Sequence, residues 1–162
     1  MRVLFLDIDG VLNDSDFIHH SKYPHLDTLD HLNPECITHL NTIVDRTDCV
    51  IVISSTWRIL YSLEHIASLL SEKGFRHPAR IIDMTDTDRG IRGQQIHRWL
   101  LAHQGLVAGM CILDDDSDMD PYMPWLIKTN FFDGGLTGDH VGPVVDCLFE
   151  LFEPQNKVQS PV

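Results

Sequence analysis

Basic residues are scarce in this 162-residue chain: 12 Lys and Arg stand against 24 Asp and Glu, a formal charge of −12 at pH 7 with His neutral. That balance repels polyanions at long range, gives no basic footprint of the sort nucleic-acid binders show, and weakens the case for a polynucleotide partner. Cysteine is sparse as well. Cys36, Cys49, Cys111 and Cys147 are scattered with no CxxC pair, which argues against a zinc site or a disulfide framework and predicts reduced thiols in or near the core. No segment approaches the ~18 consecutive apolar residues of a membrane span. The apolar run before Asp7 is too short for a signal peptide. Internal repeats and an interdomain linker are also missing. The expectation is a soluble, cytoplasmic protein with one domain over 1–153, residues 14–33 as a flap or loop, and 154–162 as a flexible tail.

What is present alternates between strand and helix. Val3 to Leu6 reads as a strand buried on both faces, as in a parallel sheet. Residues 14–33 are polar and irregular, with His19, His20, His25 and His31 at spacings that fit no usual zinc pattern. Asn33-Pro34-Glu35 starts a helix, with Asn33 as N-cap. Cys49–Ile53 is a second strand, and Leu60, Leu63, Ile66, Ala67 and Leu70 form a helical stripe that Gly74 stops. A third strand over Ala79–Ile82, a helix over Gln94–Gln104, strands over Met110–Leu113 and Trp125–Ile127, and a last helix over Val141–Phe152 capped by Thr137 complete the pattern. Trp57, Trp99 and Trp125 are expected in the core. The alternation predicts a Rossmann-like α/β three-layer sandwich with a mainly parallel five-stranded sheet and no large cap domain.

Three strand ends carry polar clusters: Asp7/Asp9, Ser54/Ser55 and Asp114/Asp115/Asp116. A parallel sheet places all three on one edge, where open α/β sheets bind ligands. The stretch Asp114-Asp115-Asp116-Ser117-Asp118-Met119-Asp120 packs acids so tightly that it implies a cation nearby. An all-oxygen donor set of this kind suits Mg²⁺. A solvated acidic loop is the plain alternative. Ser54 and Ser55 offer hydroxyls and N–H groups to a phosphate, or simply cap a turn. Arg92, with Arg89 close by, stands at a helix start, where a cation meets the positive end of the dipole. Such a charge either reaches into the crevice or pairs with Asp86 or Asp88; Arg58 and Lys128 compete for the crevice role.

Asp7-Ile8-Asp9-Gly10-Val11 resembles the first motif of the haloacid dehalogenase (HAD) superfamily, Val50 to Ser54 its second, Arg92 its cationic third, and Leu113-Asp114-Asp115 its acidic fourth. Together with Ser54-Ser55-Thr56-Trp57-Arg58, Arg92-Gly93 and Gly135-Leu136-Thr137, the pattern is similar to the small uncapped domains associated with bacterial RNA-repair proteins. The resemblance implies a Mg²⁺-dependent phosphatase in which Asp7 takes the phosphoryl group and Asp9 acts as general acid and base. It implies that Asp7, the Asp9 carbonyl and Asp115 hold the ion. With three consecutive aspartates, Asp114 and Asp115 remain alternatives as the direct ligand. Ser54, Ser55 and Arg92 would clamp phosphate, with Arg92 standing where Lys is common. An open crevice implies a phosphorylated substrate on a larger molecule, such as a nucleic-acid end, a nucleotide or another phosphomonoester, without stable duplex binding. The competing reading is a non-hydrolytic phosphoacceptor or Mg-binding regulatory module.

Overall fold

The first strand explains most of the architecture. In the computed structural model, which describes residues 1–20, 31–88 and 90–153, β1 (Arg2–Leu6) lies at the centre of a five-stranded sheet. Its partners are β2 (Val50–Ile53) on one side and β4 (Gly109–Asp114) on the other, with β3 (Ile81–Met84) and β5 (Leu126–Lys128) at the edges. All four pairings are parallel, and the order is β3-β2-β1-β4-β5. Alternate residues face opposite layers. Leu4, Leu6, Ile51, Ile53, Cys111 and Leu113 join one core cluster, whereas Val3, Phe5, Val52, Met110 and Ile112 join the other.

Three helices cover the first face. They are α2 (Pro34–Thr47), α3 (Leu63–Glu72) and α5 (Gly138–Phe149), which bury residues such as Leu40, Ile66 and Val144. The second face is covered by α4 (Arg92–Ala102) through Ile96, Trp99 and Leu100, together with Tyr122 and Phe152. Helix starts follow local chemistry. Asn33 Oδ1 accepts from Glu35 N–H at 2.9 Å with Pro34 in the first turn, and Ser62 Oγ accepts from His65 N–H at 3.3 Å. The result is the expected α/β sandwich, and no large cap domain is inserted in it. All four cysteines are buried and free. No helix among the described residues is long and apolar enough to cross a membrane.

Several boundaries differ from the sequence reading. Within the 14–33 flap, Ser15–His20 forms a short helix, α1. Its His19 and His20 rings bond to carbonyls of their own helix, Ser15 and Asp16, at 2.6 and 2.7 Å. The third strand starts at Ile81 rather than Ala79, because Pro78 opens a 3₁₀ turn over Pro78–Arg80. Thr56–Ile59 is also a 3₁₀ turn, so the helical stripe begins at Leu63 and Leu60 is 74% exposed. The last helix covers Gly138–Phe149, not Val141–Phe152. Thr137 does start it: its N–H donates to His140 Nδ1 at 3.1 Å. Phe152 leaves the helix and is tied to the sheet by its N–H to the Ala108 carbonyl at 3.0 Å. Trp57 and Trp99 are buried as expected, but Trp125 is half-buried. Residues 21–30, Arg89 and the expected tail at 154–162 lie outside the described residues.

Candidate active site

The parallel ladder runs one step beyond the strands and gathers the polar ends. Asp7 N–H donates to the Leu113 carbonyl at 3.0 Å, and Ser54 N–H donates to the Leu6 carbonyl at 2.8 Å. Asp7, Ser54 and Asp114 therefore stand side by side on neighbouring strands, at the point where the strand order reverses about β1. Beyond Asp7 the chain turns away at Gly10, whose φ of 73° favours glycine. A Cβ there would collide with the Asp115 carboxylate. The turn is closed by Gly10 N–H to Asn13 Oδ1 at 2.8 Å and by Thr129 Oγ1 to the Gly10 carbonyl at 2.7 Å.

Asp7, Asp114 and Asp115 each present a carboxylate oxygen, all within 4.8 Å of one another. Asp114 is fully buried and Asp7 is 6% exposed. Arg92 answers part of this charge: its Nη1 lies 3.3 Å from Asp7 Oδ2 and 3.2 Å from Asp114 Oδ2. Burial raises the Asp7 carboxyl above the ordinary carboxylate range, against Arg92, Ser55 and the Ile8 N–H, which lower it. Burial and the neighbouring Asp7 push the Asp114 carboxyl up to about 7. Asp115 is raised for the same two reasons. Arg58 also feels the charges of Asp7 and Asp114, and two guanidinium groups still do not balance three acids.

The charge imbalance has a consequence for stability. A carboxyl raised in the folded protein contributes stability that is complete below its unfolded value and is lost as pH climbs through its folded value. For Asp114 that window runs from 3.8 to about 7. In EDTA, the melting temperature is expected to fall across this range, and to fall less steeply in Asp114→Asn. Parallel slopes in the two proteins, measured by thermal denaturation, would contradict the assignment.

Asp9 sits at the exposed rim and is held by two donors. Asn13 Nδ2 donates to Oδ1 at 2.8 Å, and Trp57 Nε1 donates to Oδ2 at 3.0 Å. Neither partner was anticipated from sequence, although a buried Trp generally needs an acceptor for its indole N–H. Of the serine pair, Ser55 Oγ accepts from Trp57 N–H at 3.4 Å, and its hydroxyl is near enough to Asp7 to lower the Asp7 carboxyl. Ser54 is 1% exposed, and its Oγ has no hydrogen-bond partner among the described residues.

The competing cations separate clearly. Arg58 spends its donors on the Ser55 carbonyl, the Asp86 carbonyl at 3.2 Å and Gln95 Oε1 at 2.6 Å. Lys128 Nζ donates to Ser117 Oγ at 2.7 Å. Asp86 instead takes a bidentate pair from Arg98, both contacts at 2.6 Å.

Arg92 is free to point into the crevice because the acidic loop itself starts its helix. Asp118 Oδ2 accepts from Arg92 N–H, and the Asp118 carbonyl accepts from Gly93 N–H, each at 3.0 Å. Gly93 makes this approach possible, since a Cβ there would run into the Met119 and Asp120 carbonyls. Gly93→Ala is expected to destabilise the fold by about 1–3 kcal/mol, typical of overpacking. An unchanged urea midpoint would show that the loop yields freely.

A Rossmann-like parallel sheet with Asp-x-Asp after its first strand and an aspartate cluster after its fourth is the organisation of a HAD-type domain. More narrowly, residues 3–141 match the family described as the HAD domain in Swiss Army Knife RNA repair proteins, and the chain belongs to that family. Membership supports phosphatase-type chemistry on a phosphorylated substrate. No match was found among curated proteins or solved structures.

Proposed function

We propose that the chain is a Mg²⁺-dependent phosphomonoester hydrolase that works through an aspartyl-phosphate on Asp7, with Asp9 as general acid and then general base. The observation that carries this reading is the setting of Asp7. A nearly buried carboxylate has Arg92 at 3.3 Å, two further aspartates beside it, and an oriented Asp9 two residues on. The donor set fits a hard divalent ion: it is all oxygen, and the buried Asp114 Oδ2 makes no hydrogen bond among the described residues beyond its ion pair with Arg92 at 3.2 Å. Asp7 and Asp115 would hold the ion, together with the Asp9 main-chain carbonyl, and Asp114 would support them from behind. When bound, the ion offsets the charge between Asp7 and the phosphoryl oxygens.

Asp7 attacks phosphorus while Asp9 gives a proton to the leaving oxygen, so the bond to the alcohol breaks as the bond to Asp7 forms. Asp9, now ionised, takes a proton from water. The water oxygen attacks phosphorus, and inorganic phosphate departs as the Asp7 carboxylate is restored. Arg92 and the Ser55 hydroxyl meet the phosphoryl oxygens, with Ser54 supplying the second hydroxyl. Without a large cap, the crevice accepts a phosphate carried on an accessible end, such as a nucleic-acid terminus or nucleotide. A phosphoacceptor that merely stores the group has no need of Asp9, and the two hydrogen bonds that orient it favour turnover. With p-nitrophenyl phosphate, phosphate release is expected to stop in EDTA and return with added Mg²⁺. Folded protein that stays inactive with Mg²⁺ supplied would overturn the reading.

A further inference from the structure

The crevice continues outward past Asp115. Asp115, Lys128, Thr129, Asn130, Phe131 and Phe132 line a cleft of ≈ 510 Å³, a volume in the range of small-molecule sites. Its inner end is the Asp115 carboxylate of the acidic cluster. Its outer wall is a braced turn. Asn130 Oδ1 accepts from Phe132 N–H at 2.9 Å, and the Asn130 carbonyl accepts from Asp133 and Gly135 N–H, both at 3.0 Å. The Phe131 carbonyl accepts from Ser15 N–H at 2.9 Å.

This bracing holds out an aromatic ring that the core does not use. Phe132 is 79% exposed and makes a T-shaped contact with Phe131, the ring centroids 5.2 Å apart at 79°. Lys128 lines the same cleft, and Ser117 Oγ holds its ammonium group from the post-β4 loop at 2.7 Å. A π face and a cation in one groove, continuous with a phosphoryl-transfer centre, match a nucleotide rather than a sugar or a peptide.

We propose that this cleft is the subsite for the terminal nucleotide of a single strand, a proposal that rests on the phosphomonoesterase reading above. The terminal base stacks on Phe132, the next phosphate inward meets Lys128, and the terminal phosphate reaches Asp7. Stacking on an exposed ring requires an unpaired base, which a terminal single-stranded nucleotide offers and a paired duplex does not.

Two measurements on the full chain separate this proposal from the reading beneath it. In the first, kcat/KM with Mg²⁺ is compared for a short oligonucleotide bearing a 3′- or 5′-terminal phosphate, the matching mononucleotide, and glycerol 3-phosphate, which has no ring. Phe132→Ala is expected to lower the ratio of nucleotide to glycerol-phosphate rates about tenfold, the scale of one lost base stack. Phe132→Trp should retain the ratio, Phe132→Leu should lose it, and Lys128→Ala should affect the oligonucleotide alone. Equal losses on all substrates, or a Leu variant as selective as Phe, would overturn the proposal. The second is fluorescence anisotropy of a labelled, phosphorylated oligonucleotide bound to Asp7→Asn protein, which needs no turnover. Weaker binding after adding Phe132→Ala supports the subsite, whereas binding that is absent or indifferent to Phe132 removes it. Loss of p-nitrophenyl phosphate hydrolysis in wild-type protein would instead count against the enzyme reading.

Discussion

Asp7→Asn is expected to slow Mg²⁺-supported hydrolysis of p-nitrophenyl phosphate by about 10⁴-fold or more, the scale seen when a covalent nucleophile is removed. The side chain is already aimed. Its Oδ1 accepts from Ile8 N–H at 2.7 Å, and its Oδ2 lies 3.3 Å from Arg92 Nη1. Asn keeps this shape but cannot form the acyl-phosphate bond. The fold should survive the change, because burial already disfavours the Asp7 charge and a neutral amide relieves its repulsion with Asp114 and Asp115. In EDTA the variant should melt no lower than the parent. A well-folded variant within tenfold of the wild-type rate would exclude Asp7 as nucleophile.

Asp9→Asn is expected to reduce turnover by about 10²- to 10⁴-fold, the range for a general acid and base. Here the two half-reactions respond differently. p-Nitrophenolate leaves without help, so phosphorylation of Asp7 should remain fast while attack by water becomes slow. An alkyl phosphate needs protonation to leave, so both steps should slow. Rapid-quench measurements should therefore show a burst of p-nitrophenolate approaching one per protein, followed by a slow phase. The geometry supports this division: Asn13 and Trp57 hold the carboxyl beside the crevice, and Asp9 itself is exposed. An Asp9→Asn protein that turns over alkyl and aryl phosphates at the parent rate would remove Asp9 from the reaction.

Much of the site is legible in the sequence because three of its parts lie at the ends of apolar strands. Asp7 and Asp114 follow buried β1 and close β4, and a parallel sheet brings such ends together whatever their separation. Arg92 was conspicuous as a cation at a helix start, and the structure supplies the reason it is tolerated there: Asp118 caps the helix from another loop. What could not be read depends on distant pairs. Trp57 reaches Asp9 across 48 residues, and Thr129 reaches the Gly10 carbonyl across 119. Both residues look like ordinary core or strand positions in the chain. The choice between Ser54 and Ser55 turns on the direction of a single residue after β2, which strand periodicity does not determine beyond the last paired row. Two element ends differ where a 3₁₀ turn intervenes: the three-residue repeat at Thr56–Ile59 hardly differs from a helix start in a short window, and at Pro78–Arg80 the turn takes up the residues before the apolar pair Ile81-Ile82 that begins the strand.

The central claim is that acids from β1 and β4 form one centre in which Asp7 itself carries the phosphoryl group. Its most direct test is to mix Asp9→Asn protein with p-nitrophenyl phosphate and Mg²⁺, quench in acid, and locate the added phosphoryl group by peptide mass spectrometry. The account expects it on Asp7, formed only when Mg²⁺ is present. A phosphoryl group on another side chain, or its formation at the same level in EDTA, would contradict the account.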